Sequence, residues 1–207
     1  MTARKYEFTG ETRGALKRIR RLSDGLVGGW IESERNLDHE GKCFIYDSAV
    51  VSGSAVVRDS AVVSGSAVVR DSAVVRDSAV VYGSAVVYGN AVVRDYAVVR
   101  DSAVVRDSAG VRGSAVVYGS AVVRDSAVVC DSADIKTASR SDGYTFTLLR
   151  CADDVWRLTA GCRFFTMDEA WRHWMTTRGD RDDTLGAETL DILWLFDRHI
   201  ERREKRA

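Results

Sequence analysis

Ala49-Val50-Val51-Ser52-Gly53-Ser54-Ala55-Val56-Val57-Arg58-Asp59-Ser60 holds two copies of a six-residue motif that fills nearly half of the 207-residue chain. From Cys43 to Ala138 the motif runs as sixteen hexads, if CFIYDS at the start and SADIKT at the end are admitted. A strand sends successive side chains to opposite faces. In each A-V-V the alanine and the second valine therefore share a side, and the first valine points away. The inward set is Ala49/Val51, Ala55/Val57, Ala61/Val63 and onward to Ala127/Val129; the outward set is Val50, Val56, Val62 and their successors. The other three residues, such as R-D-S or Y-G-S, form a corner, where Gly and Asp tolerate turn backbone.

Short strands with a corner every six residues give a three-sided coil of about eighteen residues. The expected fold is mainly β, a parallel β-helix of about five triangular coils. A small N-terminal cap is expected over residues 1–42, the repeat over 43–138 and a C-terminal ββαα unit over 139–207. The hexads resemble the left-handed β-helix family, which implies that hand for the coil. A helical reading fails, because Val-Val pairs, Ser and Gly are poor helix formers and the period is not 3.6.

Folded at eighteen residues, the corners sort into three columns. One reads Arg58, Arg76, Arg94, Arg112 and Cys130; the second Ser52, Arg70, Tyr88, Arg106 and Arg124; the third Tyr46, Ser64, Tyr82, Arg100 and Tyr118. Asp59, Asp77 and Asp95 follow their arginines and would compensate them. The plain reading is a solvated, self-neutralising ridge. The functional one is a row of guanidinium forks for phosphate or carboxylate, with the tyrosines as stacking surface. Candidate ligand or partner contacts are Arg58, Arg76, Arg94, Arg112, Tyr82, Tyr88 and Tyr118. The outward valines, interrupted only by Gly110, put an apolar ladder on each face. Large bare apolar patches are rare on soluble monomers, so a homo-oligomer, dimer or trimer, is expected. Its candidate interface is Val56, Val74, Val92, Trp171, Trp174, Trp194 and Phe196.

Lys plus Arg number 30 and Asp plus Glu 30, so polyanions such as nucleic acids are not favoured partners. No prolines interrupt the ladder. No apolar run is long enough to span a bilayer, and MTARKYEFTGE has no apolar h-region of a secretory signal. Cys43, Cys130, Cys151 and Cys162 show no CxxC or metal spacing, which suits reduced thiols in a cytoplasm.

Ahead of the repeat, KYEF reads as a strand and LKRIRRL as a second strand or a short helix. Lys17, Arg18, Arg20 and Arg21 are its basic cluster, flanked by acidic residues. Gly28-Gly29 permits a tight turn, and Trp30 is expected to plug the open end of the first coil. The run RIRRLSDGLVGGWIESERNLDHEGKCFIYDSAVVSGSAVV resembles phage and prophage hexapeptide-repeat proteins with a GGWIESE…HEG signature, commonly given transferase or polymer-forming, bactofilin-like labels. The likeness covers residues 4–138 and implies a phage origin and the β-helix. It departs in the corners, where SAVVRD replaces an asparagine-glycine corner and only Asn90 keeps the asparagine. It carries no activity onto residues here.

After Ala138, SRSDG reads as a turn-rich linker, and YTFTLLRC and VWRLTAGC as a hairpin on which Cys151 and Cys162 could face each other. Thr166 and Glu169 form a capping box for a helix with Met167, Ala170, Trp171, Trp174 and Met175 on one face. GDRDD (179–183) reads as a loop. The last helix, from Thr184 to Arg203, carries a broad stripe of Leu185, Thr189, Ile192, Leu193, Phe196 and Ile200, widened by Leu190 and Trp194. The Gly161–Thr166 turn and this tail also resemble the phage group.

Many left-handed β-helices are acyltransferases, which imply a histidine general base. Here the histidines are His39, His173 and His199, all outside the coils, and no hexad is interrupted by a loop. No P-loop, GxSxG, HExxH or dinucleotide fingerprint appears, and Asp153/Asp154 and Asp182/Asp183 read as loop carboxylates. No catalytic residue, metal or cofactor is expected. The sequence points to a non-enzymatic phage accessory protein that binds a host macromolecule, with block of a bacterial defence system as its use. A small anionic (nucleotide) ligand, a self-assembling structural role and a degenerate acyltransferase stay open.

Overall fold

The structure, a computed structural model, describes residues 4–131, 134–151, 153–178 and 183–205. The chain divides into two compact units, Met1–Ser132 and Ala133–Ala207.

The first unit is a three-faced parallel β-solenoid of about six turns. β1 (Tyr6–Arg13) and β2 (Leu16–Arg21) form an antiparallel hairpin that continues into β3 (Val27–Ile31). Then come two-residue strands: β4 is Phe44–Ile45, β5 is Val50–Val51, and β6 to β18 follow at six-residue steps from Val56–Val57 to Val128–Val129. One face stacks β3-β5-β8-β11-β14-β17, the second β6-β9-β12-β15-β18, the third β4-β7-β10-β13-β16. Pairing is in register, so Val62, Val80 and Val98 lie one above the next. Each rung donates its N–H groups to the next, as Val50 N does to Ala67 O at 2.9 Å. The inward Ala/Val set from Ala49/Val51 to Ala127/Val129 is fully buried.

The outward valines are half-buried rather than bare. Each stands in register with the residues one rung above and below, as Val80 does between Val62 and Val98.

Several features differ from the sequence reading. The solenoid begins before Cys43: Trp30 and Ile31 pair with Val50 and Val51, Leu37 bridges Val57, and Phe44 pairs with Val62. Trp30 sits opposite the outward Val50, so it does not plug the open end. It lies on the outer face, with the guanidinium carbons of Arg13 and Arg18 at 4.5 and 5.4 Å from its ring. The end rung is filled instead by Ile31, Leu37 and Ile45, aliphatics larger than the valines they replace and all fully buried. The paired glycines serve this packing: a Cβ on Gly29 would stand 2.5 Å from Ala49 O.

The described part of the SADIKT hexad, from Asp134 on, leaves the repeat. β19 (Ile135–Ser139) pairs antiparallel with β20 (Thr145–Arg150), in a sheet completed by β21 (Trp156–Ala160) and β22 (Arg163–Thr166). The second unit is thus ββββαα rather than ββαα, with α1 at Met167–Arg178 and α2 at Thr184–Glu204. The capping box is present: Glu169 N donates to Thr166 Oγ1 at 3.3 Å, and Thr166 N to Glu169 Oε2 at 2.8 Å. Of the loop expected at 179–183, residues 179–182, Asp182 included, lie outside the described residues.

Cys151 and Cys162 do not face each other. The register runs from Phe146↔Ala160 to Arg150↔Trp156, which leaves them at opposite ends of the hairpin. The core holds Phe146, Leu148, Trp156, Leu158, Trp174, Leu190, Leu193 and Phe196. Met175 and Trp194 are exposed, outside that core.

Candidate functional site

The corners carry the surface chemistry, and their second residue explains how. It is always Asp or Gly with positive φ, from Asp47 (56°) through Gly89 (72°) to Asp125 (56°). Glycine adopts this backbone freely and Asp tolerates it through local hydrogen bonding. Asp then adds something glycine cannot. Its carboxylate accepts from the backbone N–H one rung on: Asp47 from Gly65 at 2.9 Å, Asp95 from Gly113 at 3.0 Å, Asp101 from Gly119 at 3.0 Å. The same carboxylates hold the preceding arginines, with Arg70, Arg76, Arg100 and Arg106 at 2.8 to 2.9 Å from Asp71, Asp77, Asp101 and Asp107.

This geometry splits the seven residues expected as ligand or partner contacts over three edges. Arg58, Arg76, Arg94 and Arg112 share the edge that follows the second face. Arg58, Arg76 and Arg94 lie 3.9, 2.9 and 3.3 Å from their aspartates. Arg112 is followed by Gly113, and its Nε donates to Cys130 Sγ at 3.1 Å. Tyr88 lies on the edge after the first face, with the Arg70 guanidinium 4.2 Å above its ring. Tyr82 and Tyr118 lie on the edge after the third face, 38% and 49% exposed, in the same corner column as Arg100, whose guanidinium stacks on Tyr118 at 4.9 Å. Val56, Val74 and Val92 stack in register on the second face.

Among the residues expected at an interface, Trp174 and Phe196 are buried in their own unit's core and cannot meet a partner. Trp171 is partly buried there, and its Nε1 donates to Asp197. Trp194 is exposed.

Tyr96 escaped the sequence reading, and Arg100 was read in its corner column but not taken as a contact. Tyr96 is 74% exposed, beside Arg94. It replaces the serine that ends most corners, and that single departure from the repeat was its signal. Arg100 completes the Tyr82–Tyr118 edge; the mixture of Tyr and Arg in its column was the signal.

At the hairpin end a groove of about 460 Å³ is lined by Lys5, Arg21, Ser23, Asp24, Lys42, Cys43 and Tyr46 among others. Arg21 is held by Asp24 at 2.6 Å, and the ion pair depresses the Asp24 carboxyl to about 2. Burial raises the Cys43 thiol, against the pull of Lys5 Nζ at 3.1 Å. Among the described residues no three His, Cys, Asp or Glu side chains gather in a metal-binding group, and no helix is long and apolar enough to cross a membrane.

No family model, curated protein or solved structure matches the chain.

Proposed function

We propose that the chain is a non-catalytic binding protein, a rigid β-solenoid that reads a host macromolecule with its tyrosine-bearing edge. The observation that carries this is the Tyr82–Arg100–Tyr118 column, two exposed tyrosines flanking an arginine on successive rungs. Tyr and Arg are the residue types that concentrate binding energy at protein interfaces. A frame hydrogen-bonded rung to rung presents them without a backbone-ordering cost. The corner arginines, Arg100 with Asp101 included, are largely neutralised by their own aspartates, which favours a protein partner over a polyanion. The likeness of the N-terminal run to phage hexapeptide-repeat proteins supports a phage accessory role in the host cytoplasm, with a bacterial defence component as the target.

The test is capture from host lysate with wild type and with a Y82A/R100A/Y118A variant, followed by titration of the captured protein in purified form. Binding weakened at least about thirtyfold by the triple substitution supports the reading; an unchanged isotherm overturns it.

A second reading, a small anionic ligand, has the hairpin groove in its favour, because Lys5 and Lys42 line it. Thermal stabilisation by a nucleotide, abolished in Lys42→Glu, would establish that one instead.

A further inference from the structure

Helix α2 carries an apolar pair that its own unit does not cover. Trp194 is 57% exposed and Leu195 44% exposed, side by side in the chain. On the same stripe, three residues before Trp194 and three after Leu195, stand Asp191 and Arg198, both exposed. Seven residues are two turns, so these two charges lie on one face about 10 Å apart along the axis. Most arginines of the first unit are held by a nearby carboxylate. Arg198 instead stacks its guanidinium 4.7 Å above the Trp194 ring. Beyond them the stripe continues through Ala187 and Arg202.

The pattern is its own complement. A two-fold axis between Trp194 and Leu195 would run a second α2 antiparallel to the first. Asp191 then faces Arg198 of the second copy, Arg198 faces its Asp191, and Trp194 meets Leu195 twice. The small Ala187 comes opposite Arg202 and leaves room for its stem. The same axis sets Glu188 opposite Glu201 of the second copy, on the solvent-facing flanks where like charges are screened, and Glu188 is already engaged by Ser141 N at 2.8 Å. A two-fold contact uses one patch on both copies and so requires this self-complementarity; a foreign partner would not.

We propose that α2 is an isologous homodimer interface: Trp194 and Leu195 form its centre, and two Asp191–Arg198 pairs close it. It is separate from the solenoid edges, so loss of either surface leaves the other testable. One helix pair is a small interface, so the dimer should dissociate on the order of 10 µM.

The test is sedimentation velocity of the full chain over a concentration series. Wild type should pass from monomer to dimer. Trp194→Ala should weaken the dimer at least about thirtyfold. Asp191→Arg should abolish it by setting Arg against Arg. The double exchange D191R/R198D should restore it, because the pairs re-form with reversed sign. A chain monomeric throughout overturns the proposal. So does an oligomer indifferent to Trp194→Ala and Asp191→Arg, or a double exchange no better than the single one.

Discussion

The carboxylate of Asp77 accepts from the backbone N–H of Asp95 on the next rung at 3.3 Å and from Arg76 Nη1 at 2.9 Å. One side chain thus closes a corner, joins two rungs and neutralises its neighbour, while its own backbone holds φ at 59°. These roles separate by substitution. Asp77→Asn keeps the left-handed tolerance and an acceptor, and loses only a half-exposed ion pair, so it should cost under about 0.5 kcal/mol. Asp77→Gly loses the inter-rung bond without strain, about 1 kcal/mol. Asp77→Ala adds the left-handed penalty of about 1–2 kcal/mol. Thermal unfolding should rank them Asn, Gly, Ala; an alanine variant as stable as the asparagine one would refute the account.

Gly110 interrupts the outward valine ladder between Val92 and Val128. An added Cβ would meet the Val128 methyls at 3.6 and 3.8 Å, ordinary contact distances. Gly110→Val should therefore stabilise by about 1 kcal/mol, through reduced chain entropy in the unfolded state and added methyl cover. Gly29→Ala should do the reverse. Its Cβ would press on Ala49 O at 2.5 Å and Ile45 Cγ2 at 2.6 Å, costing about 3 kcal/mol. Urea midpoints of the two variants should move in opposite directions.

Asn36 is fully buried in the first rung with its amide fully used. Oδ1 accepts from Glu32 N and Ser33 N at 3.1 and 2.8 Å, and Nδ2 donates to Gly53 O and Ala55 O at 3.0 and 2.8 Å. Asn36→Asp would turn a carboxylate oxygen toward two carbonyls and should cost about 3 kcal/mol or more at neutral pH. Denaturation at pH 7 checks this; a loss below 1 kcal/mol would contradict it.

The solenoid was legible because the Ala/Val alternation leaves each strand one way to face the core. Its ends were not. SADIKT continues the spacing but lacks the A-V-V triplet, and Ile135–Ser139 pairs antiparallel with Thr145–Arg150 instead. The facing of Trp30 depended on register: one residue's slip would have turned it inward. The corner aspartates were visible as counter-ions. Their bonds across rungs were not, since these join positions eighteen apart only after the coil has closed. On α2, helix spacing set Trp194 at the margin of the apolar stripe. Whether a margin is covered depends on the strands packed beside it, and two of those were unrecognised.

Trp171 Nε1 donates to the carboxylate of Asp197 across the α1–α2 contact. Burial pushes the Asp197 carboxyl above its ordinary value; the Trp171 bond opposes this, and Glu201 and Asp168 add to it. A carboxyl raised on folding favours the folded state while protonated. Its contribution is full below the unfolded pKa and is lost as pH rises through the folded one. At neutral pH Asp197 is therefore a cost. Asp197→Asn removes the charge and keeps an oxygen for Trp171. The variant should melt higher than wild type at pH 7, and the gap should close near pH 3. Tryptophan fluorescence reads this unit directly, because Trp156, Trp171, Trp174 and Trp194 lie in it. A gap that widens on acidification would show that the Trp171 bond, not burial, dominates the site.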